Sequence, residues 1–361
     1  SGPTATAYMN YVGTKIGATP QAPAVENPSG WTGRGWSTST SPTGKVIDLG
    51  VITENATYYY SWQKTVTATL YVYNNSASTK TGTAYLDYKG ATTNASIGLG
   101  TTSLSGYTFR GWSTAKEGNA KITIAANGTA SINTNTTYYA SYTYTVTATY
   151  YYYDGSKYTS SKPTATAYMN YVGTKIGAKP TTPTVKNPSG WTARGWSTSS
   201  SATGTVTTPG TITGNATYYY SWQKTVTATL YVYNNSSSTK KGTAYLNYKG
   251  TITNASIGLG TTSLSGYTFR GWSTSTAGNA SITVAANKAA SINKDTTYYA
   301  SYSYTITATY YYYNGSSYTS SKPTATGYMN YVGTKIGAKP TTPTVKNPSG
   351  WTARGWSTSS S

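Results

Sequence analysis

The sequence predicts a mainly β chain with little or no helix, built from tandem domains of about eighty residues that alternate between two types in a rod. Three observations predict this. The sequence repeats itself at a fixed interval, the signature of an array. Its composition is rich in Thr and in Tyr, with 40 Tyr, and short of the Glu and Leu from which amphipathic helices are made. Apolar and polar residues alternate with period two at the start of each repeat. A disordered chain would be charge-rich and poor in aromatics, whereas charged residues are only 9% here, beside 10 Trp.

The repeat defines the boundaries. Ala7-Tyr8-Met9-Asn10-Tyr11-Val12-Gly13 recurs from Ala167 to Gly173 and from Gly327 to Gly333, an offset of 160 each time. Within it, Thr65-Val66-Thr67-Ala68-Thr69 returns after 80 residues at Thr145, then at Thr225 and, with Ile306 for Val, at Thr305. Two domain types therefore alternate: a partial B repeat over 1–64, A over 65–144, B over 145–224, A over 225–304, and a partial B over 305–361. Both ends fall inside a repeat, so the chain reads as a window on a longer array.

Within one A repeat, Val66, Ala68, Leu70 and Val72 alternate with Thr and Tyr, which predicts a strand with one buried face. Asn74-Asn75-Ser76 predicts a turn, and Thr83 to Tyr88 the return strand of a hairpin. A Gly-, Ser- and Thr-rich crossing follows; in B it carries Pro180, Pro183 and Pro188, which argue against a long helix. Then come Gly106-Tyr107-Thr108-Phe109-Arg110-Gly111-Trp112, a loop, and a closing strand over Thr137 to Tyr142. About two residues, Gln63-Lys64 or Thr143-Tyr144, remain to link one domain to the next.

The Gly-aromatic-Thr-x-Arg-Gly-Trp segment, followed by a Tyr-Tyr-Ala-Ser-Tyr or Tyr-Tyr-Tyr-Ser-Trp strand, resembles the internalin-type B-repeat, also called the Listeria–Bacteroides repeat. The resemblance covers every repeat. It implies a compact β-grasp-like fold, found in tandem in bacterial surface proteins as spacers or adhesive stalks. Type B departs from the motif: Trp31, Trp191 and Trp351 replace the Tyr, and Gly33, Ala193 and Ala353 replace the Phe. A large ring moved by two positions would fill the same space.

The arginines Arg34, Arg110, Arg194, Arg270 and Arg354 all precede Gly-Trp. They are expected to stack on aromatic rings and bond backbone carbonyls; a row of ligand-binding guanidinium groups is the alternative. The following glycines (Gly35, Gly111, Gly195, Gly271, Gly355) would supply a positive φ or room for the next ring. Trp36, Trp112, Trp196, Trp272 and Trp356 are expected core anchors, since aliphatic residues are few. Tyr59, Tyr139, Tyr219 and Tyr299 alternate away from that face and are the candidates for stacking on sugars.

Chemistry is thinly provided. The chain has no Cys and no His, which excludes disulfides, thiolates and imidazole chemistry, and it predicts no cofactor and no metal. No acid recurs in its own copy: Asp87 becomes Asn247, Glu117 becomes Ala277, Asp154 becomes Asn314, and Asp295 replaces Asn135. General acid–base pairs and acid-assisted Lys–Asn isopeptide bonds therefore lack parts, and an enzyme is not expected. The net charge of +20 is spread singly, so anionic wall polymers or glycans are expected partners beside neighbouring repeats and other copies of the chain. No nucleic-acid motif and no membrane-inserting segment is read. The expected role is a structural segment of an extracellular fibre or adhesin stalk, on the surface of a Gram-positive bacterium. Multivalent glycan binding and a phage fibre are the alternatives.

Overall fold

The computed structural model describes residues 2–359. Strands dominate them, and the helical segments are two 3-10 turns, Tyr73–Asn75 and Tyr233–Asn235, at hairpin tips. No helix among the described residues is long and apolar enough to cross a membrane. Strands of four or more residues are numbered below in the order in which they enter.

The chain forms two compact units, one containing the residues up to Ala148 with Lys162–Thr182 and Gly210–Ala216, the other containing Thr149–Ser161, Pro183–Pro209 and the residues from Thr217. In the first unit, β1 (Thr32–Ser37) pairs antiparallel with β2 (Tyr59–Val72), which turns through Asn74 and Asn75 into β3 (Ser76–Leu86). Both asparagines sit at positive φ, 60° and 58°, which their short polar side chains tolerate. The return strand thus starts seven residues earlier than the sequence suggests, because Ser and Thr between Ser76 and Lys80 pair with β2 while exposed on both faces.

The crossing contributes β4 (Ala95–Gly98), β5 (Thr108–Ser113) and β6 (Thr129–Ile132), with β4 and β6 forming a separate ribbon. β7 (Thr136–Tyr153) then runs parallel to β2, pairing Thr136 with Ala68 and Tyr139 with Tyr71, and antiparallel to β5. The core is the inward face of this arrangement: Val66, Ala68 and Leu70 of β2, Ala95, Ile97 and Leu99, Trp112, and Tyr138, Ala140 and Tyr142 of β7. Met169 and Tyr171 of the next repeat complete it, and Trp31 of the preceding one packs against its edge.

The linkers expected at Gln63-Lys64 and Thr143-Tyr144 do not exist. Both pairs lie inside strands, β2 and β7, which close one repeat and open the next without a turn. Nothing in Tyr-Ser-Trp-Gln-Lys-Thr-Val breaks the period of two, and no Gly or Pro intervenes. β3 also crosses the boundary, because its Ala84 and Tyr85 pair with Lys64 and Gln63. In the same unit β8 (Thr164–Asn170) spans the next boundary, pairing Ala167 with Tyr144 and Thr166 with Thr145.

The second unit repeats the plan. β9 (Thr192–Ser197) pairs with β10 (Ala216–Val232), which pairs antiparallel with β11 (Ser236–Leu246) and parallel with β12 (Thr296–Thr307). Its core of Val226, Ala228, Leu230, Trp272, Tyr298 and Tyr302 matches the first residue for residue, closed by Met329.

Tyrosine burial fixes how stability responds to pH. Desolvation raises Tyr138, Tyr220 and Tyr298 above the ordinary 10.0. Their contribution is complete below that value and is lost as pH rises through the raised ones. Asp154 works in the opposite sense: the backbone N–H groups of Lys157 and Ser156 lower it from 3.8 to about 2, so its contribution persists above 3.8 and is lost as pH falls towards about 2. With no imidazole to titrate, denaturant midpoints are expected to stay level between about pH 5 and 9 and to fall above about pH 10. A midpoint that moves between about pH 6 and 8 would contradict this.

Candidate functional site

The Arg-Gly-Trp strand is the recurring chemical feature, and its geometry begins with a bulge. Along β5, Phe109 faces Tyr142 and Gly111 faces Ser141, leaving Arg110 as the extra residue. Gly111 has φ +137°, and a Cβ there would lie 2.6 Å from the Ile124 carbonyl oxygen, so only glycine fits. The bulge swings the arginine out of the pleat. Arg110 Nη1 donates to the Gly118 carbonyl at 2.8 Å, to the Ala120 carbonyl at 3.2 Å and to Ser141 Oγ at 2.8 Å. The guanidinium also lies 4.7 Å from the centre of the Tyr168 ring.

The first three partners belong to the arginine's own repeat and the ring to the next one, so the side chain closes the seam between them. Arg270 does the same with Gly278, Ala280, Ser301 and the Tyr328 ring at 4.4 Å. In type B, Arg34 bonds Pro42, Gly44 and Ser61 below Tyr85, and Arg194 bonds Ala202, Gly204 and Ser221 below Tyr245. Their serine partner stands 27 positions further on, and Arg354 is exposed. Backbones meet closely at the same seam. A Cβ on Gly118 would come within 2.7 Å of Asn170 N.

The motif tryptophans take different places. Trp112 and Trp272 are 2% exposed and donate to the Gly100 and Gly260 carbonyls at 3.0 and 2.9 Å. Trp196 is buried, Trp36 half-buried, and Trp356 47% exposed against the edge of Tyr310. The Phe109 ring that type B lacks is not replaced two positions along the same strand. Where A has Ala140, B has Tyr60 or Tyr220 on the facing closing strand, with ring centres 5.2 Å from Trp36 and 4.9 Å from Trp196. A Cβ on Gly33 would strike the Tyr60 hydroxyl, so the bulk has moved across the ladder. Trp31 and Trp191 instead pack against the core of the following A repeat, under Lys64 and Lys224 at 4.5 and 4.9 Å.

The outward tyrosines are half-buried and clustered. Tyr139 stacks on Tyr71 with centres 5.5 Å apart and lies 4.7 Å from Tyr171. Tyr299 has the same neighbours in Tyr231 and Tyr331, and Tyr219 in Tyr151 and Tyr248. Tyr59 meets Tyr88 at 4.8 Å. Each of these rings thus has at least one ring neighbour and keeps part of its surface in solvent.

Three of the seven acids, Asp87, Asp154 and Asp295, serve as backbone acceptors. Asp87 Oδ1 accepts from Lys89 N and Ala91 N, and Asn247 accepts from Lys249 N and Thr251 N in the same way. Asp154 and Asn314 cap equivalent turns. Asn135 and Asp295 each receive a strand N–H, from Thr67 and Thr227, at 2.9 and 2.8 Å. A carboxylate and an amide carbonyl perform this role equally, which is why they exchange freely between copies. Among the described residues no three Asp or Glu side chains come together.

A cavity of ≈ 600 Å³ is lined by Pro3, Ala18, Trp36, Leu49, Ile52 and Tyr58, with Glu54 at its rim. In the next copy the rings corresponding to Trp36 and Tyr58, Trp196 and Tyr218, pack against Tyr150 of β7 at 4.9 and 5.3 Å. In the first copy the two rings line the cavity instead. Its one carboxylate pairs with Lys15 at 3.2 Å.

The tyrosines that carry the seam were not singled out by sequence. Tyr85, Tyr168, Tyr245 and Tyr328 recur in each copy as Ala-Tyr-Leu, Ala-Tyr-Met or Gly-Tyr-Met, and that recurrence was the available signal. In comparisons with known proteins, no family model matches the chain, and neither a curated protein nor a solved structure matches it.

Proposed function

We propose that the chain is a structural repeat segment of an extracellular bacterial fibre or adhesin stalk, and not an enzyme, in which tandem β-grasp-like domains supply length and stiffness. One observation carries this reading: inside each compact unit a single strand closes one repeat and opens the next, as β2 does across 64/65 and β10 across 224/225. A flexible linker would leave neighbouring domains free to reorient, whereas a shared strand removes that freedom. The β-grasp likeness is supported by the order of strands, an opening hairpin whose first strand lies parallel to the last, without the helix. The surface setting rests on the Cys-free composition and the positive charge.

Small-angle scattering of the whole chain tests the reading. A profile of constant cross-section is expected, together with no saturable binding on glycan or wall-polymer arrays. A freely jointed profile would overturn it. The half-exposed tyrosine clusters favour a second reading, a weak multivalent glycan module. Saturable binding that is lost in Tyr139→Ala and Tyr299→Ala would establish that reading instead.

A further inference from the structure

The tyrosine clusters contain a feature that neither stiffness nor glycan binding requires. In each, one pair of rings is closer than the rest. Tyr59–Tyr88, Tyr139–Tyr171, Tyr219–Tyr248 and Tyr299–Tyr331 have centres 4.8, 4.7, 4.7 and 4.7 Å apart. Among the described residues the other tyrosine pairs lie at 5.1 Å or more. The four pairs sit at the short end of the range of about 4.5–7 Å in which aromatic rings pack. Their interplanar angles, 46°, 39°, 48° and 40°, are equally uniform, so the rings are tilted rather than stacked. The neighbouring Tyr71–Tyr139 contact, at 5.5 Å and 21°, presents face to face instead.

Each pair also has the same place in the array. One ring comes from the closing strand of a repeat and the other from a turn of the next, and both members of every pair belong to one compact unit. The turn members follow the acceptor residues or the return strand: Tyr88 is next to Asp87, and Tyr171 next to Asn170. The hydrogen bonds these residues accept hold the turn, and with it the ring, in register.

The geometry points to four built sites for oxidative dityrosine cross-linking that would join consecutive repeats covalently. This stands on the ring geometry alone and does not depend on the function proposed above. The co-reactant is hydrogen peroxide acting through a haem peroxidase. Each phenol gives up one electron and one proton, forming two phenoxyl radicals, while the peroxide is reduced to two molecules of water. The radicals couple through their ortho carbons, a C–C bond forms, and each ortho hydrogen shifts to its ring oxygen as aromaticity returns. The net change is the loss of two hydrogens per link. In a chain with no Cys, such a link does the work of a disulfide across each seam. Tyr88, 40% exposed, gives the oxidant direct access to the first pair; the rings of the others are half-buried, except Tyr171, which is 8% exposed behind the half-buried Tyr139.

The test oxidises the whole chain with a haem peroxidase and hydrogen peroxide, followed by proteolysis and mass spectrometry. A partner ring in contact has an effective concentration of millimolar or more, so at micromolar chain coupling within the chain should exceed coupling between chains by about a thousandfold. The expected result is a monomer on a denaturing gel, with linked peptides two hydrogens lighter that join Tyr139 to Tyr171 and the three matching pairs. Replacing the turn members (Tyr88→Phe, Tyr171→Phe, Tyr248→Phe, Tyr331→Phe) keeps the rings and removes the phenols, and should lower dityrosine fluorescence about tenfold. Should that variant fold poorly, the map of links in the unsubstituted chain decides alone. Links confined to the exposed Tyr11, Tyr311 and Tyr318, or found only between chains, would overturn the inference.

Discussion

One alanine inserted between Lys64 and Thr65 is expected to abolish the cooperative unfolding transition of the first unit. β2 is continuous across that point, and its side chains alternate strictly, so one extra residue turns every later side chain to the opposite face. Val66, Ala68 and Leu70, at 1%, 0% and 2% exposure, would face solvent, and Thr65, Thr67 and Thr69 would enter the core. Exposing Val and Leu costs about 1.5–3 kcal/mol each. Burying threonine hydroxyls without partners adds about 1–3 kcal/mol apiece. Together these approach the whole stability of a domain, about 5–15 kcal/mol. Inserting two residues restores the alternation and should recover a folded unit, weakened by separation of Arg34 from Tyr85. Urea denaturation followed by tryptophan fluorescence reads both outcomes. If the single insertion unfolded like the parent chain, the repeats would be separate beads and the shared strand would carry no weight.

Trp112→Ala is the second large effect, with an expected loss of about 3–5 kcal/mol. The ring touches Phe109 edge-on at 5.3 Å, is almost wholly enclosed, and its N–H satisfies the Gly100 carbonyl. Trp272→Ala should cost the same, because Phe269 and Gly260 repeat those contacts. Trp356→Ala should change stability by no more than about 0.5 kcal/mol. Its ring is half in solvent although the surrounding sequence is the same Arg-Gly-Trp. Equal losses at all three positions, measured by chemical denaturation, would show that the motif acts independently of its surroundings.

Much of this was legible in the residues. The alternation of Val66, Ala68 and Leu70 with Thr marked a strand with one buried face, and Tyr138 is inside while Tyr139 is half outside, as period two requires. The glycine after each arginine does need its positive φ. Other features were out of reach because they are not local. The arginine's ring partner lies 58 residues away at Arg110 and in another repeat, and spacing alone does not select it from 40 tyrosines. The Phe109-to-Gly33 exchange invited a search along the same strand, whereas antiparallel pairing placed the compensating ring opposite, at Tyr60.

What the sequence determined by itself is the strand-forming chain, its two-type repeat and the absence of thiol and imidazole chemistry, since composition and periodicity are properties of residues in order. Only the tertiary structure decided how neighbouring repeats share strands and cores. A boundary in sequence is a shift of pattern, but hydrogen bonding across a ladder ignores it: β3 and β8 pair over the junctions, and each A core is closed by Met169 or Met329 of its neighbour. Burial of apolar surface is a property of contacts in space, and those contacts make two compact units out of repeats cut elsewhere in the sequence.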